Sequence, residues 1–352
     1  MATYYVKTTG NDTTGDGSEG NPYASLGKAM TATVASGTIY IKSGTYNLTT
    51  TTQNANAGPV LFKSAYTVRV LGYETTAGDG CPTGDRPVVH ANGNAPTYMI
   101  QLDGTGSVNH EIHHVKIDGD NQNTDGIRDA LNANNIYNLS VDCVVTQCDG
   151  TNAYYGVRCV GCAAEDNDAN GFDSVGICVY CRAVGNTGYG FLLNNYQSAI
   201  HCVAVDNGSY GIRVAYGGLI VNCTSHSNGG VGIFGFQTNN LVANSIATGN
   251  TTYEYDLDFW QTGTNNADYG AAARSTLYTN TVDIEQVTLS GLPYVNAPTN
   301  MELSNSADAV LCQAAGIGFP DGLKPDLGAM PLGSTTDELA AAIWGYSNRT
   351  ES

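Results

Sequence analysis

The chain has 352 residues, 41% hydrophobic and only 13% charged, with 43 glycines and a net charge of −18. This composition supports a large core of strands and turns rather than helices, and the negative charge argues against nucleic acid or an anionic membrane as partner. No run is long and apolar enough for a membrane span, and no basic-then-apolar leader opens the chain. The expectation is therefore a chain that folds in a cytoplasm, or leaves it by a route that needs no cleaved signal.

Residues 1–48 read as an N-terminal cap. Tyr4-Tyr5-Val6 and Gly37-Thr-Ile-Tyr-Ile are strand-like, and between them Ser25 is placed to cap a short helix running to about Val34, with Leu26, Met30 and Val34 on one face. Residues 49–142 are less regular. Val68–Leu71, Val88–His90 and Ile112–Ile117 are strand candidates. The Gly-, Asn- and Asp-rich stretches Thr75–Arg86 and Asp118–Asp125 read as loops thrown outward. The 29 residues from His114 to Cys143 imply an insertion in one coil.

From residue 143 a phrase recurs: Cys, five residues on Asn, four residues on Gly, then an apolar residue. It reads Cys162, Asn167, Gly171, Phe172; Cys181, Asn186, Gly190, Phe191; Cys202, Asn207, Gly211, Ile212; and Cys223, Asn228, Gly232, Ile233. A worn copy precedes it at Cys143, with Cys148 in the Asn slot. Another comes after it at Ser245, Asn250 and Tyr255, with Glu254 in the Gly slot. Successive Cys slots are 19, 19, 21, 21 and 22 residues apart. A fixed period near this length marks a solenoid, and Val, Ile, Tyr and Thr punctuated by Gly and Asn mark short strands. Parallel coils stack about 4.8 Å apart, so equivalent residues form columns. Asn167, Asn186, Asn207, Asn228 and Asn250 are expected to form a buried amide ladder. Cys143, Cys162, Cys181, Cys202 and Cys223 form a second column, and Phe172, Phe191, Ile212 and Ile233 an inward apolar stack.

These columns, with the opening string Tyr4-Tyr5-Val6 … Gly44-Thr-Tyr and the closing Ala307–Gly316 and Pro325-Asp-Leu-Gly-Ala, resemble right-handed parallel β-helices of the pectate-lyase-like superfamily. The resemblance implies an all-β, single-stranded solenoid: a cap over 1–48 with a short helix, a helix body over 49–333 with regular coils at 143–255, and a tail over 334–352 with a second short helix. It does not imply one activity, because the superfamily holds lyases, hydrolases, epimerases, adhesins and phage proteins. In the tail, Thr335-x-x-Glu338 is a capping box, and Leu339, Ile343 and Tyr346 share a helical face beside Trp344. The ending Ala340-Ala-Ala-Ile-Trp-Gly-Tyr-Ser-Asn-Arg-Thr resembles C-terminal tails of phage virion proteins, which implies an anchoring role for Leu339, Ile343, Trp344 and Tyr346.

Four constellations invite chemistry. Cys159-x2-Cys162-x15-Cys178-x2-Cys181 has zinc-ribbon spacing. The first slot, however, is Ala199, Ile220 and Val242 in later coils, so it is a core slot, and no metal or cofactor is expected. Residues three apart in one strand also point to opposite faces unless the strand bends. Acidic residues cluster at Asp118, Asp120, Asp125 and Asp129 and again at Glu165, Asp166, Asp168 and Asp173. They suit paired carboxylates or Ca²⁺, but equally the ordinary solvation of turns. Bases for a lyase are available at His113, His114, Lys116, Arg158, Arg182 and Arg213, in no recognisable lyase, galacturonase, esterase or epimerase string. Tyr189 and Tyr210 share the slot before the ladder Gly and are candidate glycan contacts if they point outward, or lateral packing if they do not.

The reading that gathers most of these features is a phage virion structural protein, decorating the capsid or belonging to the tail. It would be non-catalytic, assembled in the host cytoplasm among other virion proteins, a homo-oligomer (by resemblance a trimer), and able to contact a surface polysaccharide. The alternative is a polysaccharide lyase, hydrolase or tailspike depolymerase.

Overall fold

The computed structural model describes residues 2–257 except 34, 50–59, 63–65, 103–108, 123, 130–137, 238 and 244, and beyond them strands at 262–264, 266–269, 286–288, 294–296 and 300–303. The tail residues Leu339, Ile343, Trp344 and Tyr346 lie outside the described residues. Three parallel sheets of eleven, eleven and nine strands wind through the described chain, visited in turn by every coil. The fold is therefore the parallel β-helix that the period implies. Residues 1–48 belong to the same winding: Ala2–Val6 pairs in register with Gly37–Lys42 in the first sheet, and Gly44–Asn47 opens the second. The one α-helix described, Leu26–Ala32, is capped by the Ser25 hydroxyl, which accepts from Lys28 N, and buries Leu26, Ala29 and Met30.

In the regular coils over 139–235 two corners are made by single left-handed residues. His114, Asp142, Gly161, Tyr180, His201 and Asn222 turn the chain from the first sheet to the second, with φ between 47° and 64°. Gln147, Asp166, Gly185, Asp206, Ser227 and Gly249 turn it from the second sheet to the third. A non-glycine residue in that region costs about 1 kcal/mol or more, so each corner must be held by the side chains next to it. After the first corner comes the cysteine column; after the second comes the asparagine column.

The cysteines pack and donate at once. Cys143 Sγ donates to Ile112 O at 3.4 Å, Cys162 to Ser140 O at 3.3 Å, Cys202 to Cys178 O at 3.5 Å and Cys223 to Ala199 O at 3.4 Å, each reaching an inward residue of the preceding coil. Both Cys159 and Cys162 point inward although they are three apart, because Gly161 bends the chain between them. Burial pushes the thiols of Cys181, Cys202 and Cys223 well up, which keeps them protonated and disfavours both metal ligation and nucleophilicity.

The asparagines satisfy one another completely. Asn186 Oδ1 accepts from the amide N and Nδ2 of Asn167 at 3.3 and 2.8 Å, and Asn207 Oδ1 accepts from Asn186 in the same way at 3.2 and 2.9 Å. Asn228 repeats this for Asn207, and Asn250 for Asn228. The second Nδ2 hydrogen goes to the second sheet: Asn167 to Val145 O, Asn186 to Ala164 O and Asn207 to Ala183 O. At one end Cys148 N donates to Asn167 Oδ1. At the other, buried Glu254 accepts from Asn250 Nδ2 at 2.6 Å and Asn250 N at 3.3 Å. The Gly column is excluded from carrying side chains, since a Cβ on Gly190 would stand 2.6 Å from Gly211 O and one on Gly171 2.7 Å from Gly190 O. Glu254 occupies that slot in the coil whose strand, Tyr255–Leu257, forms the edge of the third sheet.

Inward, Tyr154, Phe172 and Phe191 stack at successive 4.7 Å centroid spacings, nearly parallel, and Ile212 and Ile233 continue the column in register. Elsewhere two local expectations change. The run Ile112–Ile117 is not one strand: the left-handed His114 divides it into Glu111–His113 in the first sheet and a strand from Lys116 to Gln122 in the second. Asp118–Asp125 is not a loop, because it lies almost wholly within Lys116–Gln122 and Asp125–Asp129; Asp118 faces outward, Asp120 and Asn121 take left-handed turns, and Thr124 and Asp125 are buried.

Replacing Asn207 by Ala strips two donors and a shared acceptor from a sealed column. Urea denaturation is expected to show a loss of about 3 kcal/mol. The nine described cysteines, all buried, are expected to stay unreactive toward a thiol reagent until the chain is unfolded.

Candidate functional site

Since the ladder and the inward stack fill the interior, chemistry is left to the outward rows. On the third sheet these rows arise from alternation. Inward Phe172, Phe191, Ile212 and Ile233 are each succeeded by an outward residue: Asp173, Leu192, Arg213 and Phe234, in register. Arg128 and Tyr155 continue this row into earlier coils.

Tyr189 and Tyr210 stand beside that row, half-buried, with their rings edge-on at 5.4 Å. Tyr210 contacts Phe234 at 5.2 Å, and Phe234 contacts Phe236, which is 40% exposed, at 6.2 Å. The Arg213 guanidinium lies between them, 5.9 Å from the Tyr189 ring and 5.4 Å from that of Phe236. Tyr196, 72% exposed, packs edge-on against Tyr216 at 5.3 Å on the strand-exit side of the same face. The result is an aromatic strip crossing three coils with one cation set into it.

Toward earlier coils the face becomes polar. Arg128 lies 5.2 Å over the Tyr155 ring and 3.8 Å from Asp125 Oδ2. Asp125 Oδ1 also accepts from Thr151 N at 2.6 Å and Asn152 N at 3.0 Å. Asp173 Oδ1 accepts from Ser174 Oγ at 2.7 Å, and the Asn152 amide, oriented to donate, reaches Asp173 Oδ2 at 3.0 Å. Burial, helped by the nearby charge of Asp125, raises the Asp173 carboxyl above its usual range despite these hydrogen bonds. Asp173 therefore keeps its proton to a higher pH than an ordinary aspartate.

The other residues singled out for chemistry are dispersed. His113 and Arg158 project from the first sheet, His114 from the first corner, Lys116 and Arg182 from the second sheet, and Arg213 from the third. Several are already engaged. Arg182 pairs with Glu165. Glu111 is pulled down to about 2 by the hydrogen bond from His113 and the charge of Arg69, against burial. Burial alone would raise Asp142, but hydrogen bonds from His114 (2.9 Å) and Arg86 (2.6 Å) outweigh it and hold it low. The acidic clusters separate as well: Asp129 turns inward to Asn138, Asp118 and Glu165 face out from the second sheet, and Asp125 and Asp173 stand on the third. Among the described residues no group of three or more His, Cys, Asp or Glu is placed to hold a metal ion. Phe234, Phe236, Tyr155 and Arg128 were not singled out by the sequence. The alternation rule applied to the residue after inward Ile233 would have found Phe234.

Comparison with known proteins gives the fold. A family model described as "Protein of unknown function (DUF1565)" matches residues 8–153. No curated protein matches the chain. The crystal structure of pectate lyase Pel9A is similar, with a TM-score of 0.56 and 17% identity over 93% of this chain and 96% of that one. A lacto-N-biosidase from Eubacterium ramulus (TM-score 0.44, 10% identity, 81% of this chain and 67% of that one) and ORF18 of Geobacillus virus E2 (TM-score 0.36, 14% identity, 74% and 56%) are more distant and add no argument. The likeness to Pel9A establishes the parallel β-helix.

Asp173→Asn tests the local electrostatics. A raised carboxyl destabilises the fold only where the unfolded chain has already lost its proton, above the ordinary value of 3.8. The variant is expected to melt higher than the wild type at neutral pH and to lose that advantage as pH falls below this value.

Proposed function

We propose that this chain is a non-catalytic structural protein of a phage particle, in capsid decoration or tail, that binds an extended surface glycan along its third sheet. The observation that carries the glycan part is the strip formed by Tyr189, Tyr210, Phe234 and Phe236 around Arg213. Aromatic faces take the apolar faces of sugar rings, and a guanidinium among them takes hydroxyls or a carboxylate. Successive coils advance about 4.8 Å, close to the length of one sugar residue, so an extended glycan lying along the helix axis would meet a new outward residue of the row at each coil, Leu192, Arg213 and Phe234 in turn. The virion part is supported by the C-terminal stretch Ala340–Thr350 and its resemblance to the C-terminal tails of phage virion proteins.

A second reading, cleavage of that glycan, is favoured by the position of Asp173 in the same outward row as Leu192 and Arg213, with burial holding its carboxyl above the usual range as suits a general acid.

Binding to a panel of neutral and uronate polysaccharides, read by calorimetry, is expected to detect a ligand. Tyr210→Ala and Phe234→Ala should each weaken it by about tenfold, and Arg213→Ala should weaken uronate ligands selectively. Binding to none of the panel, or binding indifferent to all three substitutions, contradicts the assignment. New reducing ends or unsaturated product, abolished in Asp173→Asn, would favour cleavage. Deletion of residues 334–352 is expected to prevent incorporation into particles; unchanged incorporation would remove the tail's anchoring role.

A further inference from the structure

Charge on the third sheet is set out along the same outward row that carries the aromatic strip. The register runs Arg128, Tyr155, Asp173, Leu192, Arg213, Phe234 and Asp256, one residue from each successive coil, all half-buried. Every second member is charged, and the sign alternates: Arg128, Asp173, Arg213, Asp256. Tyr155, Leu192 and Phe234 separate them. At about 4.8 Å per coil the two arginines stand about 19 Å apart, as do the two aspartates, with about 10 Å between unlike neighbours.

The two arginines are set alike. Arg128 lies 5.2 Å over the Tyr155 ring, and Arg213 lies 5.9 Å from the Tyr189 ring and 5.4 Å from that of Phe236. A ring beside a guanidinium holds it in place without neutralising it. The Arg128 side chain is 39% exposed, and its nearest carboxylate, Asp125 at 3.8 Å, already accepts from Thr151 N and Asn152 N. Among the described residues no carboxylate pairs with Arg213.

We propose that the glycan bound by this face carries isolated negative charges, one to about four sugar residues, with neutral sugars between them. This rests on the glycan reading above and adds to it the spacing of charge. Two cations four coils apart match two carboxylates four sugars apart, since one sugar spans about one coil. The aspartate midway selects uncharged sugars between them, because a carboxylate accepts from hydroxyls but repels a second carboxylate. A uronate at every residue, or at every second residue, would set a carboxylate opposite Asp173 whenever Arg128 and Arg213 were both matched. The step of about 10 Å between unlike charges is close to the screening length at physiological salt, so each sugar responds to the charge it faces rather than to the average of the row. A net charge of −18 repels dense polyanions from the chain as a whole, and the same spacing lets a sparse one approach.

The probes are octasaccharides of four linear glycans. Carboxyl-reduced gellan is neutral, deacylated gellan has one glucuronate in each four residues, hyaluronan has one in each two, and polygalacturonate has a carboxylate on every residue. Calorimetry on the full chain at low salt is expected to rank deacylated gellan first, by about tenfold over each of the others, and to lose that lead at about 1 M salt. Arg128→Gln and Arg213→Gln should each weaken deacylated gellan by about tenfold. Arg128 stands four coils before Arg213 and outside the aromatic strip, so its loss leaves a ligand held by the rings alone unaffected. Asp173→Asn with Asp256→Asn should strengthen hyaluronan and polygalacturonate by about fivefold, with circular dichroism and melting as checks of the fold. If another of the four binds as tightly as deacylated gellan and Phe234→Ala still weakens it, the strip remains a glycan site and the charge spacing is overturned. Undiminished binding of deacylated gellan by Arg128→Gln overturns the spacing too. Binding of none of the four overturns both.

Discussion

The asparagine ladder is the interaction on which the rest of this molecule depends. Each amide from Asn167 to Asn228 accepts from the coil before and donates to the coil after, and its spare hydrogen goes to the second sheet. A column that closes on itself in this way fixes the stagger between coils, because a slip of one residue would orphan every amide in it. It also sits one residue after a left-handed corner, which for Gln147, Asp166, Asp206 and Ser227 is an unfavourable conformation for an L side chain. The ladder thus offsets local strain with a buried network. The ends show the same logic: Cys148 offers only its backbone N–H, and Glu254 offers a carboxylate where the column of asparagines stops.

Because stagger is fixed, the outer surface inherits the regularity of the interior. Outward positions form rows as faithfully as inward ones, so chemistry accumulates by face rather than by loop. The third sheet collects rings around Arg213, the first collects aliphatics around Val160, and the second exposes Glu165 and Arg182 paired with each other. This is why the basic residues, close together in sequence order, do not converge. His113, His114 and Lys116 span a corner and part onto two sheets, and each of the two histidines is tied to an acid nearby.

The regular coils were legible in the sequence for a physical reason. Buried columns tolerate few residue types, so period, ladder and apolar stack are written as repeated letters. The zinc-like Cys159–Cys181 spacing dissolved on the same logic, since its slots are shared with Ala199 and Ile220. Corners were not legible. A left-handed residue can be Tyr180, His201 or Asp206 as readily as Gly185, so no letter announces the break at His114. The outer face was half legible. Tyr189 and Tyr210 stood out by repetition, but their direction depends on the bend at the neighbouring Gly, and Phe234 and Arg128 occur without a repeat. Outward residues answer to partners, and a partner leaves no period in the chain.

The central claim is that the ladder binds the coils into one cooperative body. Native-state hydrogen exchange across Cys143–Tyr255 measures this most directly. The account predicts that the side-chain amides of Asn186, Asn207 and Asn228 and the backbone of their coils exchange together, at the rate of global unfolding. Coil-by-coil exchange, with Asn207 released while its neighbours remain protected, would contradict it.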